Sequence, residues 1–116
     1  MYQYSILKNP DEKQILHILN LYKAANWWEE DSNGTDIIDK IISGSYIFMI
    51  AVCQDKIIGM GRVISDGVSD AYIQDVTVDK EYRNRKIGSK IVRGRPLLLK
   101  YISSSVKNIN SFHINL

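Results

Sequence analysis

Two apolar runs stand almost end to end in the middle of the chain: "SYIFMIAVCQ", from Ser45, and "KIIGMGRVISD", from Lys56. β-Branched and aromatic residues fill both, and the polar triplet Gln54, Asp55 and Lys56 joins them. That pattern predicts an antiparallel hairpin. A hairpin this apolar needs further strands and a covering layer, so the rest of the chain has to supply both. After the turn "GVSD" comes another strand, "AYIQDVTVD". "YQYSIL" reads as a strand at the start, and "NINSFHINL" as one at the end. In the latter, Phe112, Ile114 and Leu116 alternate with Ser111, His113 and Asn115.

The covering layer is also legible. "NPDEKQILHILNLYKAAN" predicts a helix capped by Asn9, with Pro10 at its first position and Asp11 and Glu12 at the positive end of its dipole. Ile15, Leu16, Leu19 and Tyr22 recur at helical spacing. His17 lies at the edge of that stripe as a boundary residue, with nothing nearby to complete a metal site. "WWEEDSNG" reads as a loop, and "TDIIDKIISG" as a helix capped by Thr35 and stopped at Gly44. A third helix begins near Arg85, where Ile87, Ile91, Leu98 and Ile102 keep the period. Gly94 and Pro96 fall inside it and predict a kink or a break near residues 92–96. The order is β-α-α-β-β-β-α-β. It implies an α/β (α+β) domain over residues 1–116, with a mixed, mostly antiparallel sheet and helices on both faces.

Charge narrows the choice of partner. Between Lys80 and Lys100 there are eight basic residues and one acid, a local +7 on a chain whose net is +2, so the remainder carries −5. A basic zone on a mildly acidic body points to an anionic ligand at one place rather than to a surface built for nucleic acid. Early charges at Lys8, Asp11, Glu12 and Lys13 interrupt any leader-like run, and no apolar stretch is long enough to span a bilayer. Cytoplasm is the expected compartment. Cys53 is the single cysteine, so no internal disulfide forms, and in "FMIAVC" it reads as a small buried hydrophobe.

The basic zone begins where a strand hands over to a helix, in "VTVDKEYRNRKIGSKIV", Val76 to Val92. Such a junction gathers unpaired backbone N–H groups, and the helix dipole adds partial positive charge, so it suits phosphate oxygens. Gly88 lets the main chain approach an anion, Arg83, Arg85 and Lys86 add charge, and Ser89 adds a hydroxyl. Tyr82 is expected to pack beneath the turn. "IGSK" is not a P-loop, because its lysine follows the serine and the first glycine is absent. "GMG" at Gly59–Gly61 is not a dinucleotide fingerprint, because Ile64 stands at the third glycine, so these glycines read as strand or bulge residues.

In these residues the chain resembles the GCN5-related N-acetyltransferases (GNAT family). Their acetyl-CoA motif is a strand, then Gln or Arg-x-x-Gly-x-Gly or Ala, then a helix. "DVTVDKEYRNRKIGSKIV" is similar, with Arg83 first, Gly88 last, and Lys86 in place of the middle glycine. The likeness runs back through "IAVCQDKIIGMGRVI" to "LYKAANW", roughly residues 2 to 92. It implies acetyl-CoA as cofactor. Val76, Thr77 and Val78 would meet the pantetheine arm and hold the oxyanion, while Arg83, Asn84, Arg85, Lys86, Ile87, Gly88 and Ser89 would hold the diphosphate. A small-molecule or peptide amine would enter near Trp27, Trp28 and Glu29, whose aromatic faces and charge suit a cation. Asp75 is the first candidate to take the amine's proton and Glu30 the second. Asp75 has a structural alternative, pairing with Arg62, and the tryptophans have another, core packing.

The resemblance also has a boundary. The family continues with a helix and two strands that supply a tyrosine to protonate the departing thiolate, whereas this chain ends at its fifth strand; Tyr101 does not match that tyrosine. The expectation is a domain shortened at its C-terminus, with an open sheet edge that a homodimer would cover. A coenzyme A-binding or interaction protein with impaired catalysis is the alternative. "RGRP", Arg93 to Pro96, resembles a minor-groove hook, but its flanks are apolar, so neither nucleic acid nor membrane is expected as a partner.

Overall fold

The computed structural model describes residues 1–29, 34–93 and 111–114. Its elements follow the expected order: β1 (Gln3–Ile6), α1 (Glu12–Ala24), α2 (Gly34–Gly44), β2 (Ile47–Cys53), β3 (Lys56–Ser65), β4 (Asp70–Val78), a single 3-10 turn (Lys80–Tyr82), α3 (Ile87–Arg93) and β5 (Ser111–Ile114). The sheet order is β1-β2-β3-β4-β5. The first four strands pair antiparallel, and β5 pairs parallel with β4.

β2 and β3 form the hairpin, but with a shorter turn than the sequence predicts. Cys53 pairs with Lys56, so only Gln54 and Asp55 lie outside the ladder. Both have left-handed backbones, φ 50° and 63°, which matches the right-handed twist of the flanking strands. All of β2 except half-buried Val52 is buried, because both of its faces are covered. On one side α1 and α2 bring Ile18, Leu21, Tyr22, Ile38 and Ile42 onto Phe48, Ile50 and Met60. On the other, Ile87 and Ile91 of α3 pack over Met49, Ala51, Ile58 and Val63.

Several helix boundaries differ from expectation. Asp11, not Asn9, caps α1: its carboxylate accepts from the Gln14 N–H at 2.8 Å and the Gln14 side chain accepts from the Asp11 N–H at 2.9 Å. This reciprocal pair satisfies two otherwise unbonded donors, which a cap at Asn9 would not do. Leu16 turns outward, 49% exposed, and the stripe runs through Ile18 and Leu21 instead. α2 takes in Gly34 ahead of Thr35 and keeps Gly44 as its last residue. α3 begins at Ile87, two residues later than Arg85, because the 3-10 turn and its exit occupy the intervening chain. Gly94 and Pro96, where a kink was expected, lie outside the described residues, as does Tyr101.

The two glycines of "GMG" set the distance between α3 and the sheet. A Cβ on Gly61 would come within 2.9 Å of Ile91 Cγ2, and one on Gly59 within 3.1 Å of Ile91 Cδ1. Gly61 also sits opposite a bulge: Arg62 pairs with Gln74 and Met60 with Thr77, so Asp75 and Val76 share one position across from it. Asp75 adopts φ 57° there.

His17 bonds α1 to β3. Its Nδ1 accepts from the Ile57 N–H at 3.2 Å, which only the neutral ring can do. Partial burial holds its pKa below the usual value, and Lys13 and Lys56 push the same way while Asp11 opposes them.

Two predictions follow from this packing. Gly61→Ala should lower unfolding free energy by ~1–3 kcal/mol through overpacking. Gly44→Ala, whose Cβ would meet nothing within 4 Å, should be neutral or stabilising, so the two denaturation midpoints should move apart. For His17, the unfolded chain binds a proton below about pH 6.5 that the native state resists. Stability should therefore fall as the pH drops through that value, and melting curves of His17→Gln should show a shallower fall.

Candidate active site

The edge of β4 changes character halfway along. Asp70 to Ile73 pair with β5 on one side, and Ala71 to Ile73 also pair with β3 on the other. From Gln74 to Val78 no described residue of β5 lies alongside, and the residues are half-buried. Asp75–Val78 thus presents a strand edge with no partner among the described residues. The chain then makes its 3-10 turn, capped by Asp79, whose side chain accepts from the Glu81 N–H at 3.0 Å. Asn84 and Lys86 follow with left-handed backbones, φ 65° and 60°. Alternating handedness of this kind turns successive N–H groups toward one point and forms an anion-binding concavity. The Lys90 N–H donates to the Lys86 carbonyl at 3.0 Å and opens the helical ladder of α3. The N–H groups of Ile87, Gly88 and Ser89 precede that bond and have no helical acceptor.

Gly88 lies against the open stretch of β4. A Cβ there would find Val78 Cγ2 at 3.7 Å and Val76 Cγ1 at 4.0 Å, ordinary van der Waals distances. Among the described residues, nothing therefore demands glycine at 88. Gly88 thus lies beside Val76 and Val78, the strand residues that the sequence reading assigns to the same ligand.

The turn is held firmly. Arg83 Nε donates to the Val78 carbonyl at 3.1 Å, and Arg85 Nη1 donates to the Tyr2 hydroxyl at 2.8 Å. The Arg85 guanidinium also lies 5.6 Å from the centre of the Tyr82 ring, and Tyr82 meets Tyr2 edge to face at 6.3 Å. Tyr82 does pack beneath the turn, as expected. The partnership of Tyr2 was not foreseeable, since 83 positions separate it from Arg85.

On the helical face of the same bulge, Asp75 Oδ2 accepts two bonds, from Arg62 Nε at 2.6 Å and from the Tyr22 hydroxyl at 2.7 Å. The structure thus shows the pairing with Arg62 that the sequence left as an alternative. Burial pushes the Tyr22 phenol far above its usual pKa, and its bond to Asp75 adds to the shift, so Tyr22 remains a donor. Tyr22 is absent from the sequence-derived site because it reads as core, and it is indeed 4% exposed.

Trp27 and Trp28 come to the same place through the end of α1. The Asn26 N–H donates to Lys23 and the Trp27 N–H to Tyr22, with Asn26 left-handed at φ 61°. This is a Schellman ending, with asparagine where glycine is commoner. It sets the two rings 6.2 and 5.8 Å from that of Tyr22. Trp28 packs on the core and Trp27 is 50% exposed, so the packing reading fits the first and the open reading the second. Glu29 is exposed beside them, and Glu30 lies outside the described residues. Among the described residues there is no group of three His, Cys, Asp or Glu able to hold a metal, and no helix is long and apolar enough to cross a membrane. Arg93 ends α3, and the rest of "RGRP" lies outside the described residues.

A family model described as "Acetyltransferase (GNAT) family" matches residues 10–94. Solved structures share the fold. An acetyltransferase of the GNAT family from Streptococcus pneumoniae TIGR4 is 21% identical, with a TM-score of 0.70, covering 100% of this chain and 76% of that one. An aminoglycoside acetyltransferase from an uncultured soil metagenomic sample, in complex with sisomicin, is 16% identical with a TM-score of 0.73, covering 99% and 77%. An aminoglycoside 6'-N-acetyltransferase complexed with coenzyme A is 18% identical with a TM-score of 0.72, covering 88% and 56%. No curated protein matches the chain.

The carboxylate cluster is open to direct measurement. Tyr22→Phe should cost ~1–2 kcal/mol of stability by removing one donor to a charged acceptor. Arg62→Leu should cost more, because it leaves the carboxylate without its countercharge. The double variant should fall short of the sum, since both donors share Oδ2.

Proposed function

Since the chain belongs to the acetyltransferase (GNAT) family, we propose that it transfers an acetyl group from acetyl-CoA to a primary amine that attacks the thioester directly. The family uses acetyl-CoA, and the residues present suit it. The observation that carries the reading is the edge Asp75–Val78, without a partner among the described residues, leading into the left-handed turn at Asn84 and Lys86. When bound, acetyl-CoA supplies an activated acyl thioester. The main-chain groups of Val76, Thr77 and Val78 would bond the pantetheine amides as a neighbouring strand would, and one N–H would donate to the thioester oxygen as negative charge gathers on it. Residues 83–89 would hold the diphosphate through backbone donors and charge.

The acceptor would approach on the helical face, past Trp27, toward Asp75. Oδ2 of Asp75 is occupied by Arg62 and Tyr22. Oδ1 is the oxygen left to receive the ammonium and take its proton, directly or through water. Trp27 and Glu29 would hold the amine while this occurs. Glu30 is the second candidate for the base. The sisomicin complex of a relative supports a small polycationic amine as one class of acceptor to try.

A second reading, a coenzyme A-binding protein with impaired turnover, draws on the same cluster. One oxygen of the Asp75 carboxylate is already taken by an arginine and a phenol, which leaves less of the group for an amine. Calorimetry with acetyl-CoA, followed by thiol release over a panel of amines, separates the two. Binding with turnover on at least one amine is expected, and Asp75→Asn should then lower kcat by roughly 100-fold or more. Binding without turnover on any amine would favour the second reading, and no binding would remove both.

A further inference from the structure

On the reading that residues 76–89 receive acetyl-CoA, the three cations of the turn are not equivalent. Arg85 is committed within the protein, bonded to the Tyr2 hydroxyl and stacked over Tyr82. Arg83 is anchored through Nε to the end of β4. The Lys86 side chain has no hydrogen bond or ion pair to any described residue, and it is exposed. It also occupies a position with φ 60°, where a lysine is disfavoured and a glycine is at ease.

We infer that Lys86 is the side chain that meets the diphosphate, and that Tyr2, by fixing Arg85 against Tyr82, is a positioning residue that holds the turn in shape for it. The two roles rest on different physics. A flexible ammonium on the rim of a concavity of N–H groups gives charge where the anion sits, and its contribution is screened by salt. A phenol that carries no charge can help only by holding geometry, so its contribution is insensitive to salt. Tyr2 does this from outside the turn, at the end of the sheet where β1 begins. The cofactor turn is thereby tied at two separate points: Arg83 to the end of β4, Arg85 to the residue before β1.

The test is calorimetric titration of coenzyme A into the full chain at low and high salt, with an unliganded melting curve for each variant. Lys86→Ala should weaken binding roughly three- to tenfold, as expected for one charge-assisted contact. Its affinity should also depend less on salt than that of the unsubstituted protein. Lys86→Arg should keep most of the affinity. Lys86→Gly should weaken binding as Lys86→Ala does while raising the melting temperature, because the backbone is relieved as the contact is lost. Tyr2→Phe should weaken binding a few-fold and leave the salt response intact. Unchanged affinity in Lys86→Ala or Lys86→Gly would overturn the role of Lys86, and unchanged affinity in Tyr2→Phe would overturn the brace. If the unsubstituted protein binds no coenzyme A, it is the cofactor reading itself that fails, and this inference with it.

Discussion

Among the described residues, β4 has a neighbour on both sides over Ala71–Ile73 and on one side over Asp75–Val78, and the rest of the arrangement hangs on that change. No described strand lies on the other side of Asp75–Val78, so main-chain donors and acceptors there have no ladder partner among the described residues. Unpaired strand edges are costly or hazardous unless something occupies them. Here the exposed stretch is short, bulged, flanked by a helix that begins at Ile87, and backed by β3. An extended ligand with amide groups is the complement such an edge selects.

The bulge joins the two faces of the sheet. Gly61 makes room for it on the α3 side, where Val76 and Ile91 crowd the space a side chain would need. On the other side the same bulge swings the Asp75 carboxylate toward α1, where Tyr22 and Arg62 receive it. One irregularity of the backbone thus sets how closely α3 packs and where the carboxylate points.

Much of this was legible in the sequence, for reasons that can be named. The hairpin was visible because two long apolar runs have a single short interruption. The phosphate turn was visible because charge, glycine and a change of period coincide within residues 83–89. What escaped is what depends on distance in the chain. The capping box at Asp11 and Gln14 is local and could have been found, but Pro10 made Asn9 look the better cap. The Tyr2–Arg85 bond and the Tyr22–Asp75 bond join residues 83 and 53 positions apart, and nothing in either neighbourhood signals the other. Left-handed φ at Asp75 and Lys86 was equally hidden, since neither residue type advertises it as glycine would.

The lone thiol lies close to this machinery. Cys53 closes β2 beside the two-residue turn, 9% exposed, in the cluster against which Tyr82 packs. As the single sulfhydryl of the chain, and a buried one, it reacts with a thiol reagent only slowly while the protein stays folded. Its modification rate then reads out how often that corner of the molecule opens.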